Sequence, residues 1–272
     1  TEPINSPTFT IVQVYEEGLE IMARGKKNIE GQLSFDFSLN SNNYVCQSNT
    51  LISGRQALKL NSAKLIRAAI MQIKYDDTEL KPYVITIADL SELLGISRSN
   101  IYRDIDEITD DIINNPVFIK SGSGKKLKWM KIPWVSKCEY QADVGVAIKL
   151  NDELKPLLLN LKERYTQYTL DNILTMKSVY AIRIFELLQE RVLSKVLPKK
   201  GKDFELTIEQ IRECCDCIDK YKSFANLKQR VIDAAIKEIE RVTLYRITYT
   251  YKKKGRSVVA IVFHINMVYH QD

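Results

Sequence analysis

Apolar residues recur at helical spacing through most of the chain. In "GISRSNIYRDIDEI", Ile101, Ile105 and Ile108 fall at i, i+4 and i+7, so the pattern predicts a helix with one buried face. Ser97 is placed to cap it, and it should run to Ile113. Just upstream, "ITIADLSELLG" predicts a short helix capped by Thr86, with Ile87, Leu90 and Leu94 inward and Gly95 in the left-handed position that ends it. A third helix, "LNSAKLIRAAIMQI", turns Leu65, Ala69 and Ile73 to one side, with Asn61 or Ser62 as its cap and Pro82 closing the connection that follows. After Ile113, "VFIK" and "LKWMKI" flank the glycine-rich "SGSGKK", as the strands of a hairpin would.

The second half repeats this order. "SVYAIRIFELLQERV" matches "SAKLIRAAIMQI", and each carries an Ile-Arg pair, Ile66-Arg67 and Ile182-Arg183. "LTIEQIREC" sets Thr207, Ile208 and Ile211 where "ITIADLSEL" sets Thr86, Ile87 and Leu90. "FANLKQRVIDAAIKEIERV" is then a helix with Phe224, Val231, Ala235, Ile239 and Val242 inward. In the closing hairpin Tyr245, Ile247, Tyr249 and Tyr251 share one face, and Val259, Ile261 and Phe263 share a face across the turn. Helix, helix, tight turn, helix and hairpin, stated twice, predict an α+β, mainly α fold of two tandem winged helix-turn-helix domains. Between them, "NDELKPLLLNLKERY" predicts one more helix, with Pro156 in its first turns. We expect a first domain over 51–165 and a second over 166–272. Residues 1–50 form an N-terminal appendage, with a helix over Val14–Met22, strand-like alternation at Leu33, Phe35, Phe37 and Leu39, and a polar linker "SLNSNNYVCQSN".

Composition narrows the function. The chain has 272 residues, 45% of them hydrophobic, enough for packed cores throughout. A net charge of +6 permits nucleic-acid binding without demanding it, so the placement of the lysines matters more than their total. No apolar run of about 18 residues exists. The start "TEPINSPTFT" has no signal-peptide character. We expect a cytoplasmic protein with no membrane partner. Cys46, Cys138, Cys214, Cys215 and Cys217 have no regular spacing, which points to reduced thiols. The C-C-x-C cluster invites a zinc reading, but four ligands are needed and neither His264 nor His270 is near in sequence, so a cysteine-rich helix end is the preferred reading. "HINMVYH" lacks the spacing of a metal site serving a nucleophilic tyrosine, and no phosphate-binding loop pattern occurs. We therefore expect no catalytic residue, no metal and no cofactor.

A helix-turn-helix leads into the major groove with the N-terminal residues of its second helix. In the first domain those are Arg98, Ser99, Asn100, Tyr102 and Arg103. The acidic residues Asp106, Glu107, Asp110 and Asp111 should point out of the groove. In the second domain the outward face holds Asn226, Gln229, Arg230, Asp233 and Lys237, with Tyr221 and Lys222 ahead to hold a phosphate. Arginine suits guanine, and asparagine and glutamine suit adenine. Lysines crowd the hairpin turns: Lys120, Lys125, Lys126, Lys128 and Lys131 around Trp129, then Lys252, Lys253, Lys254 and Arg256 about Gly255. Such residues keep exposed turns soluble or grip phosphates. Two matching tips favour the phosphate reading.

With both domains placed, the chain resembles the plasmid replication initiators of the Rep_3 type. The resemblance runs from Leu58 to Ile265 and rests on "LNSAKLIRAAIMQI", "SVYAIRIFELLQE" and above all "FANLKQRVIDAAIKEIERVTLYRITYTYKKKGRSVVAIVFHI". It implies binding of double-stranded DNA at repeated origin sites (iterons), without enzymatic chemistry. It also implies homodimers that form through the first domain and repress their own gene, and monomers that open the origin and recruit a host replication initiator and helicase. On that basis Lys228 and Arg230 of "LKQRV" lie on the DNA-contact helix, although a helical wheel turns Lys228 toward the core. The other readings of the residues are a DNA-binding transcriptional regulator and a winged-helix scaffold that grips proteins.

Overall fold

The computed structural model describes residues 44–122, 124–193 and 201–267. The helix expected over Val14–Met22 and the alternation at Leu33–Leu39 lie outside them. The chain opens with strand β1 (Tyr44–Ser48) and a short helix α1 (Asn49–Ser53). Then come α2 (Leu60–Met71), β2 (Pro82–Thr86), α3 (Ile87–Leu94) and α4 (Arg98–Asn114). Two hairpins follow, β3 (Val117–Ser121) with β4 (Lys128–Ile132), and β5 (Val135–Gln141) with β6 (Gly145–Leu150). A single helical turn α5 (Lys155–Leu158), strand β7 (Tyr165–Thr169) and α6 (Asp171–Leu174) lead into α7 (Val179–Leu193). The second half adds β8 (Lys202–Thr207), α8 (Ile208–Cys214), a long helix through Val242, β9 (Tyr245–Lys254) and β10 (Ser257–Met267). That long helix comprises α9 (Phe224–Leu227), a π turn Lys228–Asp233 and α10 (Ala234–Val242).

Both halves are winged helix-turn-helix modules. In each, the strand before the helix pair joins the hairpin that follows the second helix, giving sheets ordered β2-β6-β5 and β8-β10-β9. The local signals hold: Thr86 accepts from Asp89 N, Ser97 from Asn100 N, and Gly95 turns left-handed at φ 66. Thr207 forms a reciprocal capping box with Gln210.

Several expectations fail, each for a non-local reason. Within the stretch expected to be a linker, Tyr44–Ser48 is instead strand β1, which pairs antiparallel with β7 and sets Cys46 opposite Gln167; the earlier residues of that stretch lie outside the described ones. "NDELKPLLLNLKERY" is not a long helix. It stops at Leu158, Leu159 is extended, and left-handed Asn160 and Arg164 turn the chain toward β1. Pro82 does not merely end a connection; it opens β2, a first-residue position that a proline tolerates. Neither Asn61 nor Ser62 caps α2. Lys59 stands at the cap, its N–H donating to Asp111 Oδ2 at 2.8 Å, while Ser62 Oγ donates to the Ile108 carbonyl. Asp111 is thus turned inward. The register shift between Val258 and Ala260 leaves Val259 exposed, while Ile261 and Phe263 are buried as expected. Most consequential, the wing of the first module is β5–β6, because only that hairpin extends the β2 sheet. The lysine-rich β3–β4 hairpin is an additional, separate sheet. Among the described residues no helix is long and apolar enough to cross a membrane.

One apolar core runs through both modules. At its centre sits a charge cluster. Glu186 of α7 is fully buried, as are Arg67 of α2 and Arg183 of α7, the two arginines of the repeated Ile-Arg pairs. Arg67 donates from Nε to Glu186 Oε1 and from Nη2 to Oε2, both at 3.1 Å, and its guanidinium lies over the buried Trp134 ring. Arg183 donates to Glu186 Oε2 and also to the carbonyls of Ile52 and Gly54 below α1 and of Cys214 at the end of α8. Gln47 and the Tyr168 hydroxyl complete the carboxylate's donors, at 3.1 and 2.5 Å.

Burial would raise the Glu186 pKa, but the charges of Arg67 and Arg183 overcome it and hold the group at about 2 against a usual 4.5. A depressed folded-state value means stability that is present above the unfolded value and lost as pH falls. Glu186→Gln strands two buried guanidinium groups and should destabilise the fold by about 3–5 kcal/mol in urea denaturation at neutral pH. Between pH 4.5 and 2 the wild-type chain should lose stability more steeply than the variant. Equal pH slopes would remove Glu186 from this role.

Candidate nucleic-acid interface

In the second module the turn between the two helices is held by Arg212. Its Nη1 donates to the carbonyls of Cys217 and Lys220 at 3.1 and 2.7 Å, and its Nη2 to those of Tyr221 and Lys222 at 2.7 and 3.3 Å. This grip holds Tyr221 in a left-handed conformation, φ 50, with its ring edge-on to Tyr180. Lys222 is exposed beside it, and Ser223 then caps the helix by accepting from Asn226 N. Asn226, Gln229 and Arg230 project from the first turns, all exposed.

The π turn coincides with this stretch; such widened turns occur often at functional sites. Within it Lys228 is half-buried. Its ammonium donates to Asp233 at 2.8 Å and lies over the Tyr249 ring, and its hydrogen bonds to Asp233 and Tyr249 push its pKa up to about 12. The Tyr249 hydroxyl donates to the other Asp233 oxygen at 2.5 Å. Asp233, which the helical wheel turned outward, thus tethers the helix to wing strand β9. The wing carries Lys252, Lys253, Lys254 and Arg256 around Gly255, whose φ of 61 makes the tight turn. Lys252 pairs with Glu205, and Lys253 lies over Tyr251.

The first module presents a different surface. Arg98 and Ser99 are exposed and Asn100 is half-buried. The Arg103 guanidinium is engaged by Asp104 through Nε at 2.6 Å and Nη2 at 3.1 Å. The Tyr102 hydroxyl donates to Asp143 at the tip of the true wing, and its ring meets Tyr140 edge-on. Asp106, Glu107 and Asp110 are exposed along the same helix, with Glu107 paired to Lys59. Carboxylates outnumber cations on this face, Asp104, Asp106, Glu107, Asp110 and Asp143 standing against Arg98, Arg103 and Lys59.

Lys125, Lys126 and Lys128 sit on the β3–β4 hairpin, all exposed, and so do not occupy the place of the second module's wing lysines. Phe118 of this hairpin bridges to Arg55, and Lys120 pairs with Glu213 of α8, so the hairpin leans on the second module. Cys214, Cys215 and Cys217 are buried at the end of α8, where Arg183 Nη2 reaches the Cys214 sulfur at 3.0 Å. His264 lies within β10 and pairs with Asp203 at 2.7 Å.

Sequence reasoning passed over Arg212 and Asp143, and it placed Tyr249 on a strand face without its tie to Asp233. The signal for Arg212 was a cation in the last turn of a helix facing a run of unpaired turn carbonyls.

The family described as "Initiator Replication protein, WH1" matches residues 44–189, and "Initiator Rep protein, WH2" matches residues 207–265. The chain is 22% identical over 247 residues to an "Uncharacterized 27.6 kDa protein" of Escherichia coli, covering 86% of this chain and 100% of that one. In fold it is similar to the Pi initiator protein solved in complex with iteron DNA, with a TM-score of 0.68 and 19% identity over 84% of this chain and 99% of that one. Two adjoining family matches over two winged modules leave one assignment: the chain belongs to the replication initiator protein family.

Proposed function

We propose that this chain is a plasmid replication initiator that acts by binding repeated double-stranded sites in an origin. The observation that carries this reading is the second module, where an exposed Asn226, Gln229 and Arg230 edge stands beside a wing of Lys252, Lys253, Lys254 and Arg256. Amide and guanidinium groups read base edges, and wing lysines neutralise phosphates. The Pi initiator's iteron complex supports carrying the ligand class across. Arg98, Ser99 and Asn100 of the first module add contacts on a neighbouring groove face. Arg103 must first leave Asp104, a surface pair that costs little to break. Two linked modest interfaces then gain affinity because docking one makes the other nearly intramolecular.

In the same reading the protein works without enzymatic chemistry and forms homodimers that repress its own gene. Several bound copies bend neighbouring DNA until it opens, and the host initiator and helicase join there. A plasmid carrying only this gene and its flanking repeats tests the whole reading: replication without another initiator is expected, and failure to replicate where the repeats are bound would leave only a regulator.

Arg230→Ala should weaken binding to the repeat by about 1–3 kcal/mol while leaving random duplex binding nearly unchanged. Lys253→Ala should weaken both alike and lower the salt slope by about 1. Equal losses on repeat and random DNA for Arg230→Ala, in a competition mobility shift, would remove it from base reading. Arg212→Ala, which frees the carbonyls of the turn, should also lose repeat affinity, with the salt slope unaltered because no phosphate contact is removed. A changed slope would place Arg212 on the DNA instead.

A further inference from the structure

The β3–β4 hairpin is an exposed feature that the proposed function leaves unused. Leu127, Trp129 and Met130 are exposed by 49, 61 and 52%, an unusual density of large apolar side chains on one short hairpin. Around them stand Lys125, Lys126, Lys128 and Lys131, and residues 117–132 contain no carboxylate. The Trp129 indole is not loose. Phe118 lies 5.7 Å away at 36°, and the Lys131 ammonium sits 5.9 Å from its centroid. One side of the ring is supported and the rest is open. The hairpin belongs to neither three-stranded wing sheet.

We propose that this hairpin is a site for single-stranded nucleic acid, in which an unpaired base stacks on Trp129 while Lys125, Lys126 and Lys128 hold the flanking phosphates. A fixed aromatic ring among lysines is the surface on which unstacked bases settle, with little dependence on sequence. A duplex would engage the lysines but leave Trp129 and Met130 in water, since its base faces already cover one another. Strong positive charge argues against a second copy of the same hairpin as the occupant, because like charges would meet. The site goes beyond the duplex reading and does not rest on it, since it uses no residue of the second module's helix or wing.

The full chain, titrated with a labelled oligothymidylate of about 16 nucleotides, tests this directly. The protein has two tryptophans, and Trp134 is fully buried, so stacking should be read as quenching of the Trp129 emission. Trp129→Ala should weaken oligothymidylate binding by about tenfold. Lys128→Glu should weaken it too; both variants should keep wild-type melting curves, and Trp129→Ala should also keep wild-type repeat-duplex affinity. Arg230→Ala should leave oligothymidylate binding intact even where it abolishes duplex recognition, which separates failure of one site from failure of the other. Absence of quenching, or loss with Lys128→Glu but not with Trp129→Ala, would overturn the proposal and leave the hairpin a grip for phosphates alone.

Discussion

A buried carboxylate facing two buried guanidinium groups is the constraint on which the rest of this molecule hangs. Glu186 alone in an apolar core would be costly; with Arg67 and Arg183 it is compensated, and Gln47 and Tyr168 satisfy its remaining acceptor capacity. The cluster is geometrically demanding. Arg67 comes from α2, Glu186 and Arg183 from α7, Tyr168 from β7 and Gln47 from β1. Arg183 also ties the carbonyls of Ile52 and Gly54 to that of Cys214. The first helices of the two modules are thereby locked against each other, and the end of α8, where the second helix-turn begins, is set from the same centre.

On that shared frame the two modules have diverged at their outer faces. The framework helices answer to packing, so their apolar positions correspond. The faces of α4 and of the Phe224–Val242 helix answer only to what they touch. In the first module Asp104 engages Arg103, and Asp143 engages Tyr102. In the second, the comparable carboxylate, Asp233, is turned sideways onto Lys228 and Tyr249 and leaves Arg230 open. The same scaffold thus supplies one face on which carboxylates outnumber cations and one basic face.

The helices with a strong period of 3.6 and a cap, such as Ile87–Leu94 and Arg98–Asn114, were legible residue by residue, and the final hairpin with its basic turn was legible apart from the bulge that exposes Val259. The strands β1, β2, β5 and β7 were not. Each is short, and two of them contain residues that look like loop: Pro82 opens β2, and Gln47 lies in β1. Gln47 is buried because a carboxylate distant in sequence accepts its hydrogen bond, a fact with no local trace. The lysine-rich turn after Ile119 was taken for a wing because charge and glycine content look alike in any exposed hairpin; only pairing with β2 distinguishes the true wing, and that pairing belongs to β6.

Amphipathic periodicity, caps and the doubled Ile-Arg pair determined that this chain builds two helix-turn-helix modules, since those features arise between residues a few positions apart. The joining of Arg67 to Glu186 across 119 positions, and the sheet in which each hairpin takes part, were decided only when the chain closed on itself. Compensation of buried charge and strand pairing are interactions between partners that a linear pattern leaves unpaired.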